Sequence, residues 1–167
     1  MCLAAVKSAF SERGRSVFLR YLAVTAVANL VWETVQIPLY TIWRTGSPGE
    51  IAFAIVHCTA GDVLITGAAL LLALLLAGRS AWPRSRDLRV ISAATMLGIA
   101  YTVFSEWLNV SVRGSWTYDA MMPVVPPLGT GLTPLLQWVI IPALAYMMAL
   151  RTLIQTPYSL EGKRRNG

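Results

Sequence analysis

Polar side chains are scarce in the long apolar runs of this chain, and those present are spaced like the face of a helix. Glu33 is followed three residues later by Gln36, and Glu106 by Asn109. His57, the only histidine, precedes Asp62 by five residues, with Cys58 beside it. Gln137 interrupts a later apolar run. Residues three or four apart share one side of a helix, so each glutamate and its amide can address one spot. Two carboxyls in a dry pocket can serve as general acid and general base, and protonating an alkene demands an acid held in such a place. Glu33 and Glu106 are therefore the candidate acid/base pair, with His57 and Asp62 tuning them or relaying protons. Gln36, Asn109 and Gln137 would orient a substrate, and Trp107, Trp116 and Tyr118 would cover it. No cofactor is needed for this chemistry. Alternatively Glu33, His57, Asp62 and Glu106 could bind a transition metal ion, as carboxylate-rich bundles do. A single histidine and the lack of a Glu-x-x-His motif weigh against that. Structural roles compete throughout: amides as interhelical glue, worth about 0.6 kcal/mol each, Cys58 as a small hydrophobe, and tryptophans as interfacial anchors.

The elements that must position these residues are membrane spans. Of 167 residues, 56% are hydrophobic and 13% charged, against roughly a quarter charged in soluble domains. Four apolar runs approach or exceed the roughly 20 residues a bilayer-crossing helix needs: about 17–42, 50–77, 90–110 and 132–153. Helices are required because backbone groups in hydrocarbon must be bonded internally. The expected fold is all-α, a polytopic four-transmembrane-helix bundle. Its organisation is a basic N-terminal segment (1–16), a membrane domain (17–153) and a basic tail (154–167). Residues 21–31 alone could pass for a signal-peptide core, but the apolar run continues through residue 42, so a retained first span is expected. Pro38 and Pro142 fall inside apolar runs and should kink or end a helix.

The net charge of +6 does not point to nucleic acid. Four basic residues lie in each of three groups: Lys7, Arg13, Arg15 and Arg20; Arg79, Arg84, Arg86 and Arg89; Arg151, Lys163, Arg164 and Arg165. Only Arg44 and Arg113 lie elsewhere. Basic groups in alternate links follow the positive-inside rule. They place both termini and the 78–89 link in the cytoplasm, and in a bacterium the chain in the inner membrane. At 1.5 Å per residue, Glu33, His57, Asp62, Glu106 and Gln137 then lie between roughly 8 and 16 Å from the outer helix ends. They form one polar layer in the outer half, whereas the inner half reads as almost wholly Leu, Ala, Val and Ile. Charges there cost about 2.5–3.5 kcal/mol each if unpaired, so they should face the bundle interior. The link from Ser111 to Gly131, rich in Pro, Gly and aromatics, is too apolar for a solvated loop. It is expected to lie in the interface or to form a lid.

Two cysteines, Cys2 and Cys58, make no disulfide framework. No Ser-His-Asp arrangement, phosphate-binding glycine loop or CxxC pair is present.

The stretch from Glu106 to Trp138 places a glutamate at a helix end, then "SWTY", a proline-containing loop, a Gly-x-x-Pro step and an apolar helix with tryptophan. This order resembles membrane carotenoid hydratases of the bisanhydrobacterioruberin type, over about a fifth of the chain. The resemblance implies a pocket for an isoprenoid-like chain, with Glu106 as acid and Trp116 and Tyr118 as lining. Those enzymes are longer and have more spans. The chain also resembles short bacterial multi-span membrane proteins of no assigned function. Three functions follow as expectations: an acid/base enzyme on a lipid or isoprenoid-like substrate, a metal-binding membrane protein, or a small transporter or accessory subunit. The expected partners are the lipid bilayer and an apolar small molecule, with a homodimer or larger membrane complex as a further possibility.

Overall fold

The computed structural model describes residues 11–77, 82–83 and 87–154. The first ten residues, most of the basic 78–89 link and the basic tail from 155 onward lie outside the described residues.

Four long helices are present among the described residues. Helix α1 (Glu12–Gln36) starts at Ser11, whose hydroxyl accepts from the Gly14 amide at 3.1 Å. Pro38 ends it, not by a kink but by a 3₁₀ turn, Ile37–Leu39. A four-residue helix α2 (Ile42–Thr45) follows. Helix α3 (Pro48–Ala77) opens on a reciprocal cap: the Ser47 amide donates to Glu50 at 2.8 Å and the Glu50 amide donates to the Ser47 hydroxyl at 3.3 Å. Helix α4 (Leu88–Glu106) is capped by Asp87 and continues into a π-helical segment, Trp107–Val112. Helix α5 (Leu132–Ile154) carries Pro142 in its interior. The expected 17–42 and 90–110 spans are thus helical from Glu12 and from Leu88. All four helices are long and apolar enough to cross a membrane.

Helix α1 packs mainly on α3 and α5, and α4 on the same two, so the bundle is a closed four-membered ring. The inward row of α1 is Gly14, Val17, Tyr21, Thr25, Asn29, Glu33 and Gln36, one residue per turn. The row of α4 is Val90, Ala94, Gly98, Thr102 and Glu106. Both rows begin apolar at one end and finish polar at the other. The apolar end joins Val17, Leu70, Leu74, Val90 and Leu150 in one core. Large apolar side chains point outward along every span, among them Val27, Leu64, Met96 and Val139. Such a surface needs hydrocarbon around it, and the chain is a multi-pass membrane protein.

The 111–131 link lies across the polar end of the bundle. Tyr40 and Tyr118 form an antiparallel bridge, with the Thr41 amide donating to Thr117 at 3.0 Å and the Asp119 amide to Leu39 at 2.9 Å. Arg44 reaches Asp119 at 3.0 Å. A two-stranded hairpin, β1 (Val124–Val125) and β2 (Thr130–Gly131), then returns the chain to α5. Gly114 and Gly129 turn with positive φ, 61° and 66°, where side chains with a Cβ are strained.

Candidate functional site

The polar end of the ring encloses a cavity of about 680 Å³ lined by all four long helices and by the link. Its size falls within the roughly 300–1,000 Å³ of small-molecule sites. Helix α3 contributes a whole side of it, including Phe53, His57, Cys58 and Asp62, and α4 contributes Tyr101, Thr102, Ser105 and Glu106. Gly49 and Gly61 belong to the same wall, and a Cβ at either would meet nothing within 4 Å. Phe53, His57 and Tyr101 are lining residues that are also exposed on the bundle's flank. The cavity therefore has a lateral mouth edged by α3 and α4. At the helix ends its rim carries Glu50, Arg113 and Ser115, all exposed.

One group of side chains is tied together by amides. The Gln36 Nε2 donates to Glu33 Oε1 at 2.7 Å and to Gln137 Oε1 at 3.3 Å. The Gln137 Nε2 lies 2.7 Å from Asp62 Oδ2, 3.0 Å from Asn29 Oδ1 and 3.1 Å from Glu33 Oε1. Helices α1, α3 and α5 thus meet through Gln137. Its amide nitrogen has two hydrogens for three acceptors, so the donors of this network are outnumbered. The arrangement follows from sequence spacing: Asn29, Glu33 and Gln36 lie on the inward row of α1, at the same depth as Asp62 and Gln137.

Glu106 is held separately. The Tyr118 hydroxyl donates to Glu106 Oε2 and accepts from the Gly131 amide at 2.9 Å. The Trp116 indole also faces Glu106. Tyr40 packs against Tyr118, ring centroids 5.6 Å apart and planes tilted by 59°, and lines the cavity. Burial pushes both phenols above their usual range, with neighbouring Glu106 adding to it, so each stays a neutral donor at physiological pH.

The structure brings together most residues expected from the sequence: Glu33, Gln36, His57, Asp62, Glu106, Asn109, Trp116 and Gln137 all line the cavity. Tyr118 reaches it through Glu106. Three particulars differ. Trp107 is 52% exposed, pairs with Phe104 on the outside of α4 and does not line the cavity. Glu106 and Asn109 both line the cavity, but the Asn109 amide, within the π-helical segment, donates back to the Ser105 carbonyl at 2.9 Å. His57 stacks on Phe53 at 5.4 Å at the mouth rather than joining the carboxyls. Among the described residues, no three of His, Cys, Asp and Glu are grouped so as to hold a metal ion.

Sequence reasoning missed Asn29, Tyr40 and Trp138. Asn29 had a readable signal, because it precedes Glu33 by four residues on one face. Tyr40 had none, since its place depends on the bridge to Tyr118. Trp138 lies over Gly98, where a Cβ would fall 1.9 Å from the indole.

The fold and cavity define a polytopic four-helix membrane protein with intramembrane carboxyls. The chain matches no protein-family model, no curated protein and no solved structure.

Proposed function

We propose that this protein is an intramembrane acid/base enzyme acting on a lipid or isoprenoid-like molecule that reaches the cavity sideways between α3 and α4. One observation carries the reading: carboxyls on three helices, Glu33, Asp62 and Glu106, line a single cavity whose mouth is edged by side chains on the lipid-facing flank. A soluble substrate would not need that lateral opening. The basic groups in alternate links put both termini in the cytoplasm and the cavity in the outer half of the bilayer, in bacteria that of the inner membrane.

In this reading Glu106 donates the proton. The Tyr118 hydroxyl orients its carboxyl. Glu33 takes a proton at the other side of the cavity, oriented by Gln36 and Gln137, with Asp62 on the same amide. Protonation of an alkene carbon gives a cation; attack by water, with Glu33 accepting the water's proton, adds water across the bond. Removal of a neighbouring C–H proton instead would shift the double bond. Hydrocarbon around the bundle lowers the local dielectric, which strengthens the electrostatics of both steps.

The test compares wild type with Glu33→Gln and Glu106→Gln. Cells producing each are extracted and their apolar lipids profiled, and the gently purified proteins are weighed by native mass spectrometry. A lipid species altered only by wild type, or a bound apolar molecule lost in Glu106→Gln, supports the reading. Folded variants with an unchanged lipid profile and a bare chain in every sample refute it.

A further inference from the structure

The half of the bundle beyond the cavity is not the purely apolar plug that its composition suggests. Along the inward row of α1, Asn29 is followed towards the N-terminus by Thr25 and Tyr21, at the same four-residue step. Both are fully enclosed, with 0% and 1% of their surfaces exposed. Neither the Thr25 hydroxyl nor the Tyr21 hydroxyl has a hydrogen-bond partner among the described residues. Tyr21 meets Tyr146 of α5 edge-to-face, with centroids 6.4 Å apart. Tyr146 in turn lies beside Trp82 and the backbone of Asp87, at the end of the bundle opposite the cavity. Side chains able to hydrogen bond are therefore spaced at helical intervals from that end to the Glu33 and Asp62 carboxyls.

Buried hydroxyls without partners are rare, and native structures satisfy them with internal water. The spacing suits water too. Four residues advance about 6 Å along a helix, too far for one hydrogen bond and close to the length of two in series. A hydroxyl both donates and accepts, so hydroxyls alternating with waters form a chain along which protons can hop. The Asn29 amide nitrogen would hold the last water beside the carboxyls. On the other side, the cavity rim at Glu50, Arg113 and Ser115 is exposed at the opposite end of the helices.

We propose that Tyr146, Tyr21, Thr25 and Asn29 line a water-bearing proton path that joins the far end of the bundle to the Glu33–Asp62 carboxyls and, through the cavity, carries protons across the membrane. This function is separate from the lipid chemistry proposed above and needs no substrate. A failure of either therefore leaves the other standing.

The test uses the full chain reconstituted in phospholipid vesicles with a pH-sensitive dye inside and a potassium diffusion potential driving protons inward. Wild type is expected to acidify the interior faster than protein-free vesicles do. Asp62→Asn and the double variant Tyr21→Phe with Thr25→Val should fall to the protein-free rate, while Thr25→Ser, which keeps the hydroxyl, conducts. Each variant is first checked for a cooperative thermal transition. If the double variant does not fold, Thr25→Val against Thr25→Ser decides the same question. Wild type no faster than empty vesicles, or Thr25→Val as fast as wild type, overturns the path.

Discussion

Gly98 sets the position of the cavity wall, and substituting it tests the packing directly. A Cβ at this position would stand 1.9 Å from Trp138 Cε3 and 2.2 Å from Cζ3. Carbon atoms reach their best separation at about 3.5–4.0 Å, so Gly98→Ala forces the indole or the helices apart by about 1.6 Å or more. Trp138 is 4% exposed and has no free direction except the cavity it already lines. Overpacking of this kind costs about 1–3 kcal/mol, and the indole that moves inward crowds the neighbouring Gln137. The expected result is a lower thermal unfolding midpoint in mild detergent and a smaller cavity, read as weaker retention of any bound apolar molecule. Combining Gly98→Ala with Trp138→Leu should recover part of the lost stability, because the clashing ring is gone. A Gly98→Ala protein with the midpoint of wild type would refute the close approach of α4 and α5 at this level.

Replacing Gln137 by Leu should destabilise the bundle by about 2–5 kcal/mol, since Asn29, Glu33 and Asp62 lose a shared donor and each unsatisfied buried group costs about 1–3 kcal/mol; chemical denaturation in detergent checks this. Tyr118→Phe removes the donor to Glu106 and the acceptor for the buried Gly131 amide, an expected loss of about 1–3 kcal/mol that should fall on the link first, seen as faster proteolysis there. Arg44→Met should change the unfolding midpoint hardly at all, because exposed ion pairs contribute about 0–1 kcal/mol. Asp119→Ala should cost more, since Asp119 also accepts from the Met121 amide at 3.2 Å. Tyr40 and Tyr118 hold their protons more tightly folded than unfolded, so their contribution is intact below about pH 10, the unfolded phenol value. It is lost as pH rises beyond that; a stability profile flat across that rise would contradict their burial.

The spans were legible because apolar runs of bilayer length leave the chain little else to do, and the helix limits differ from the expected ones by a few residues. Glu33, Asp62 and Gln137 were legible for the related reason that a polar group inside such a run must find partners in the interior. What local sequence could not reveal is phase. Asn109, three residues after Glu106, lines the same cavity, but it lies in a π turn that nothing local announces, and its amide donates to Ser105. Trp107 faces outward for a simpler reason: it directly follows the buried Glu106, about 100° further around the helix. Tyr40 and Gly98 matter only through residues 78 and 40 positions away, and nothing local marks them. The hydroxyls of Tyr21, Thr25 and Tyr146 were overlooked because each is isolated among Leu, Val and Ala; only the helical row and the T-shaped contact assemble them.

The two carboxyl groups at the centre of these proposals are held by different kinds of structure, which bears on how the site could work. Glu33 is fixed by amides from α1 and α5, themselves tied to Asp62 of α3. Moving it requires the helices to move, because its partners sit on α1 and α5 and Gln137 also holds Asp62 of α3. Glu106 is fixed by Tyr118, which belongs to a link held by the Tyr40–Tyr118 bridge, the Thr41–Thr117 hydroxyl pair, a partly exposed ion pair, a short hairpin and the buried Met122 and Thr130. Segments with few buried contacts open at the low end of a protein's stability range. Opening the link would take Tyr118 and Trp116 from Glu106 and leave the Glu33 network in place. In the proposed chemistry the link would open over Glu106, and a restraint across the Tyr40–Tyr118 bridge should slow exchange of a bound molecule without disturbing the Glu33, Asp62 and Gln137 contacts.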